Sequence, residues 1–273
     1  MTENNAFISF KNDKAGLIFD DSKHEKYPIK YYNVIDGKGF VPKKECSYYG
    51  YCYKGKTAIW QNDGTIMNLN EGMYFSSSNI KGIEIPMDSS ANPLSFKVVV
   101  IEVFHNNGIY PETKFKAMNL VGGKIEEEGR LKYIDGCTDS LLIPPVKLGD
   151  PCFNHLHFPS NINQTAHTHP THRIGIVAKG NGVCLTPFGN LPLTEGMIFV
   201  IKQWDGKEKS EGLDGKMYPN GTHSFMTPET NGMDVIAFHP DSDFGATDIN
   251  HPMINRTIVD GVSANMLEDI RTK

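Results

Sequence analysis

The sequence predicts an all-β protein, built as a sandwich or barrel. Three observations carry that expectation. Short apolar runs recur along most of the 273 residues, and glycine, proline or asparagine turns separate them about every ten residues. Only residues 263–271, with Met266, Leu267 and Ile270 on one side, have a helical pattern. A set of ordered anchors also occurs twice, which marks two copies of one β unit.

In chain order, residues 7–10, 16–19 and 29–34 read as the first strands, followed by 48–54, which ends at Gly55. Asp63-Gly64 is a hairpin signal. Residues 69–75 are a turn leading into another strand, and 97–105 is the strongest strand of the first half. The polar, glycine-bearing stretch near 120–130 reads as a linker. It divides the chain into residues 1–125 and 126–273. Strands at 140–145 and 152–158 follow. The repeat then emerges. Lys54-Gly55, Glu71-Gly72-Met73 and Val103-Phe104-His105 correspond to Lys179-Gly180, Glu195-Gly196-Met197 and Ala237-Phe238-His239, with the first interval differing by one residue.

Composition excludes several roles. A net charge of −5 disfavours nucleic acid as a partner. No apolar run has the length of a membrane span, and polar residues interrupt any signal-peptide core, so a soluble cytoplasmic protein is expected. Five scattered cysteines form neither a CxxC pair nor a disulfide framework and read as reduced, packed thiols.

Chemistry concentrates in the second half, where eight of the ten histidines lie between 155 and 251. The densest stretch is Gln164-Thr165-Ala166-His167-Thr168-His169-Pro170-Thr171-His172-Arg173. In an extended chain, residues two apart share a face, so His167 and His169 present two imidazoles together, a donor pair for a divalent transition metal. His223 and His172 compete for the third position; the odd spacing of His172 from His169 favours His223. Arg173 shares the face of His169 and would orient a substrate carboxylate, or else pair with Asp234 or Asp241. His155 and His157 also share one face and are candidates for the pocket or for bonding a ligand, as are Gln164 and Trp204. Trp204 lies in an insertion between residues 201 and 218 that would form a lid. His239 ends a strand as His105 does, and this repetition favours a structural role.

These residues resemble the cupin family. Its first motif has the form G-x5-H-x-H-x3,4-E-x6-G and its second G-x5-P-x-G-x2-H-x3-N. His167-Thr168-His169 supplies the H-x-H, Gly180 closes the first motif, and Pro219-Asn220-Gly221-Thr222-His223 resembles the second. The glutamate slot holds Arg173, and one residue instead of two separates Gly221 from His223. The resemblance covers the second half well and the first half as a degenerate copy. It implies two tandem cupin jelly-rolls with few short helices, a metal in the second only, and an association into homodimers. Near Pro42 and Lys44, where the first copy's ligands would fall, no histidine occurs.

The combined expectation is an Fe(II)-dependent dioxygenase acting on a small carboxylate-bearing molecule, with His167, His169 and His223 on the metal and Arg173 on the substrate. Zn, Mn or Ni are alternative metals. The rival readings are an isomerase or lyase that uses the ion as a Lewis acid, with His172 moving protons, and a non-catalytic small-molecule-binding bicupin.

Overall fold

A computed structural model describes residues 1–84, 95–104, 116–145, 149–241, 258–263 and 266–267. Within them the chain is almost wholly β, with a single three-residue 3-10 turn at Ile134–Gly136. Most of the helix expected at 263–271, and His105, lie outside the described residues; Ser263 itself is in a two-residue strand, Val262–Ser263. All five cysteines are buried and free.

The first half is a sandwich of a six-stranded and a three-stranded sheet. The larger sheet runs in the order Leu120–Gly122, Tyr74–Ser77, Cys46–Lys54, Lys97–Phe104, Ile29–Ile35 and Gly16–Asp21, all antiparallel. The smaller sheet places Lys56–Gln61 between Ile66–Asn70 and Ile80–Glu84. Asp63-Gly64 makes the expected hairpin, with the Gln61 amide donating to the Thr65 carbonyl at 2.9 Å. Phe75, Phe96, Val98 and Val100 fill the space between these sheets.

The second half is organised around Arg173–Leu185, whose 13 residues run through two layers. Its first part pairs with Ile198–Ile201 and Met233–His239, and its second part with Leu191–Thr194 and Ser224–Met226. The crossing between layers falls at Gly180. There φ is +76°, and a Cβ would stand 2.1 Å from the carbonyl oxygen of Gly232. The first half makes the same crossing at Gly55, φ +73°, where a Cβ would lie 2.5 Å from the Ser95 carbonyl. The repeated Lys-Gly dipeptide thus encodes a corner at which only glycine fits.

Two departures from the sequence reading concern the seam between halves. Leu120–Gly122, read as linker, is an edge strand paired with Tyr74–Ser77; three residues among glycines are too few to show alternation. Phe7–Phe10 is a strand as expected, yet it pairs with Ile198–Ile201 of the later sheet. The two large sheets then pack face to face over a shared core that includes Tyr31, Tyr49, Ile101, Phe153, Ile176 and Phe238. The rings of Tyr49 and Phe238 lie 5.1 Å apart, and the Tyr31 hydroxyl donates to the Gly175 carbonyl at 3.2 Å.

The corner makes a direct prediction. Gly180→Ala combines a left-handed backbone with a backbone clash, so it costs several kcal/mol, about 3 or more, whereas Gly64→Ala, also left-handed but in open space, costs about 1. Urea unfolding of the two variants tests the difference.

Candidate metal centre

His167 and His223 form an antiparallel bridge between otherwise separate segments. The His167 amide donates to the His223 carbonyl at 2.9 Å, and the His223 amide returns a bond to the His167 carbonyl at 3.0 Å. Directly opposed residues of an antiparallel pair project to the same side. His169, two residues on, joins them. The ring centroids are 4.5, 5.0 and 5.2 Å apart, and one ligand nitrogen from each ring lies within 4.8 Å of the others.

His167 and His169 precede the regular strand, which begins at Arg173. Pro170 has no amide to give to a ladder, and the chain turns there. The pairing of His167 with His169 survives because the bridge to His223, rather than a continuous strand, fixes the segment.

Hydrogen bonding assigns the ring protons. Nδ1 of His167 lies 2.9 Å from the Thr165 carbonyl oxygen, and Nδ1 of His223 lies 2.8 Å from that of Gly221. A carbonyl only accepts, so each Nδ1 carries the proton and each Nε2 keeps its lone pair. Burial, aided by the Arg173 charge, holds His169 far below the usual imidazole range. Burial and then His167 lower His223 to about 3, and burial also lowers His167. Neutral imidazoles with bare Nε2 atoms are what a transition metal binds.

The cluster opens on a cavity of about 30 Å³. Its walls include Tyr133, Gln164, Arg173, Phe225 and His239. Gln164 is 4% exposed, and its Oε1 is buried without a hydrogen-bond partner. His239 is likewise buried, with Nδ1 unpartnered. A carbonyl-type oxygen left bare beside three imidazole lone pairs fits a cation or a donor group on its ligand. The donor set therefore suits a divalent metal. Nitrogen ligands with a neutral oxygen favour a transition ion over calcium or magnesium.

The other sequence candidates are placed as follows. Arg173 lines the cavity and pairs with Asp241 at 3.0 Å, also donating to Thr171. Thr171 in turn donates to Asp241 at 2.6 Å. His172 does not line the cavity. Its Nδ1 accepts from the Gln203 amide at 2.9 Å, its Nε2 lies 3.5 Å from Asp21, and its ring meets the edge of Phe19. Arg173, the first residue of the strand, turns into the cavity, and the residue before it, His172, turns towards the first half. Trp204 sits outside the cavity too. Its amide donates to the His169 carbonyl at 2.8 Å and its Nε1 to the Glu208 carbonyl. The 201–218 insertion, expected as a lid, forms a hairpin of Lys209–Glu211 and Met217–Pro219. His155 and His157 face away from the cavity, to Asp234.

Sequence reasoning set His239 aside as structural and missed Tyr133. Val235, Ala237 and His239 alternate on one strand and all line the cavity, so parity along 233–239 was the available signal for His239. No pattern pointed to Tyr133, which precedes the short 3-10 turn.

His172 generates a pH prediction. Burial, then the neighbouring His24, lowers it to about 4, below its unfolded value near 6.5. A depressed imidazole leaves the unfolded state binding the extra proton, so stability is lost as pH falls from about 6.5 to 4. His172→Asn should flatten the slope of unfolding free energy in that window by up to ~1.4 kcal/mol per pH unit. Chemical denaturation of metal-free protein at pH 4.5 and 6.5 measures it; an unchanged slope contradicts the assignment.

Solved structures share this architecture. Protein Ylba from E. coli is 12% identical, with a TM-score of 0.58 over 91% of this chain and 96% of that one. A cupin 2 conserved barrel domain protein from Leptotrichia buccalis is 13% identical, with a TM-score of 0.50 over 87% and 90%. A point mutant of salicylate 1,2-dioxygenase from Pseudoaminobacter salicylatoxidans is 8% identical, with a TM-score of 0.51 over 78% and 70%. No protein-family model matches the sequence, and no curated protein does. Identities this low speak for fold alone: with its paired β-sandwiches this chain has the fold of these proteins, one of which is named as a cupin barrel domain protein.

Proposed function

We propose that this protein is a non-haem, Fe(II)-dependent oxygenase of a small carboxylate-bearing molecule. The observation that carries the reading is the convergence of three imidazole nitrogens within 4.8 Å at the wall of a buried cavity. His167, His169 and His223 would hold the ion. When bound, the iron supplies open positions at which dioxygen and substrate meet. A cavity near 30 Å³ restricts the occupant to a few heavy atoms unless its walls move. The dioxygenase that shares the fold is named for its action on salicylate.

The protein's own groups complete the task. The Arg173 guanidinium, set in place by Asp241 and Thr171, is the cationic part of the wall and orients a substrate carboxylate. Gln164 Oε1 accepts a hydrogen bond from the substrate or completes the ion's donor set. Phe158, Phe199 and Phe225 exclude water.

One observation favours a second reading. Buried His239, with an unpartnered nitrogen on the same wall, is a neutral imidazole able to take a proton from a metal-polarised substrate. That is the equipment of an isomerase or lyase.

Tag-free protein loaded anaerobically with Fe(II), then given oxygen and a panel of small carboxylates, separates the two. Oxygen consumption coupled to substrate loss is expected. It should vanish in His167→Ala and His223→Ala, each with one equivalent less iron, and persist in His172→Ala. Substrate turnover without oxygen, abolished by His239→Gln, would replace the oxygenase with the second reading. Retention of full iron content in both His167→Ala and His223→Ala would overturn both.

A further inference from the structure

Among the described residues one other group of metal-ligating atoms converges, and it lies on the opposite face of the cavity's own sheet. Strand Cys152–Phe158 pairs with Met233–His239, setting His157 opposite Asp234 and His155 opposite Ile236. Alternation turns Leu156, Phe158, Val235, Ala237 and His239 into the cavity. It turns His155, His157 and Asp234 the other way, towards the first half.

There Nε2 of His155 lies 2.9 Å and Nδ1 of His157 lies 2.8 Å from one and the same oxygen, Oδ1 of Asp234. The two rings are 6.4 Å apart, and the three donor atoms fall within 4.8 Å of one another. The His155 side chain is fully buried, while those of His157 and Asp234 keep 17% and 10% exposure, which leaves a path from solvent.

We infer that His155, His157 and Asp234 form a second divalent transition-metal site, on the face of the second sheet that meets the first half. Two imidazoles and one carboxylate are a set that suits Zn(II), Fe(II) or Co(II) and suits calcium or magnesium poorly. Neighbouring ligands at about 2.1 Å from an octahedral ion stand about 3 Å apart. The two nitrogen–oxygen separations observed match that spacing. Asp234 supplies the one carboxylate oxygen of the set. Glu126 adds negative potential near His155, though its carboxylate is engaged by Arg130. Both rings meet the one oxygen of Asp234, and a bound ion would share those three atoms in place of the two ring protons. This site is independent of the oxygenase reading, since none of its residues touches the cavity.

Co(II) is the probe, with bound metal counted after equilibrium dialysis of tag-free, chelator-stripped full-length protein and checked by visible absorption. Wild type should bind two equivalents and His223→Ala one. The double variants His223→Ala/Asp234→Asn and His223→Ala/His157→Gln should bind none, with unchanged far-ultraviolet circular dichroism. His157 is partly exposed, so its variant decides the matter if Asp234→Asn fails to fold. The inference is overturned if His223→Ala binds no Co(II), or if its remaining equivalent survives His157→Gln. One wild-type equivalent that is lost in His157→Gln but kept in His223→Ala would support this site and remove the metal from the cavity.

Discussion

The site depends on where two protons sit. Both His167 and His223 donate Nδ1–H to the carbonyl two residues earlier in the chain, Thr165 and Gly221. This local bond fixes ring orientation and tautomer together, so each Nε2 lone pair points away from its own backbone. The backbone bridge between the two histidines then makes those lone pairs face a common point. Neither device alone suffices. Without the carbonyl bonds the rings rotate, and without the bridge they belong to segments far apart in the chain. Burial keeps the rings neutral, and the Arg173 charge reinforces the effect at His169. A metal-free cavity therefore holds nitrogen lone pairs and a bare amide oxygen, with no proton readily taken up to relieve them. A cation relieves all of them at once.

The half that lacks these ligands still shapes the site. Its large sheet covers the outer face of the sheet that carries His239 and Arg173, with Tyr49 packed against Phe238 and Tyr31 bonded to the Gly175 carbonyl. Burying aromatic rings of this size contributes on the order of 2 kcal/mol each, enough to hold the strands in one register. Its strand Gly16–Asp21 also takes up His172, through Asp21 and Phe19. The imidazole that sequence spacing offered as a rival ligand is thereby given other partners.

The fold was legible because its signals are backbone signals. A left-handed glycine at Gly55 and Gly180 survives divergence of everything around it, so the repeat could be seen in the sequence. His167 and His169 were legible for a related reason: two-residue spacing in extended chain leaves little freedom. His223 was within reach only by setting His172 aside on spacing and through the resemblance to a motif, because a bridge between distant segments leaves no local pattern. The tenancy of Phe7–Phe10 in the later sheet was not legible, since a strand's pattern says that one face is buried and not by whom. Gln164 stood at the edge of the histidine stretch, but its significance is that Oε1 has no partner, a property of the packed interior rather than of the sequence.

Parity along two neighbouring strands also bears on how rigid this arrangement is. Cys152–Phe158 and Met233–His239 each carry apolar residues on both faces, so hydrophobicity alone specifies their register weakly. A slip by one residue would leave apolar contacts on either side, yet it would push His239 out of the cavity and Asp234 into it. The polar groups remove that degeneracy. Asp234 finds two imidazoles only in the observed register, and displacement would take its carboxylate away from both. The histidines and the aspartate thus act first as register markers for the sheet. The geometry of the cavity on its other face follows from the pairing they enforce.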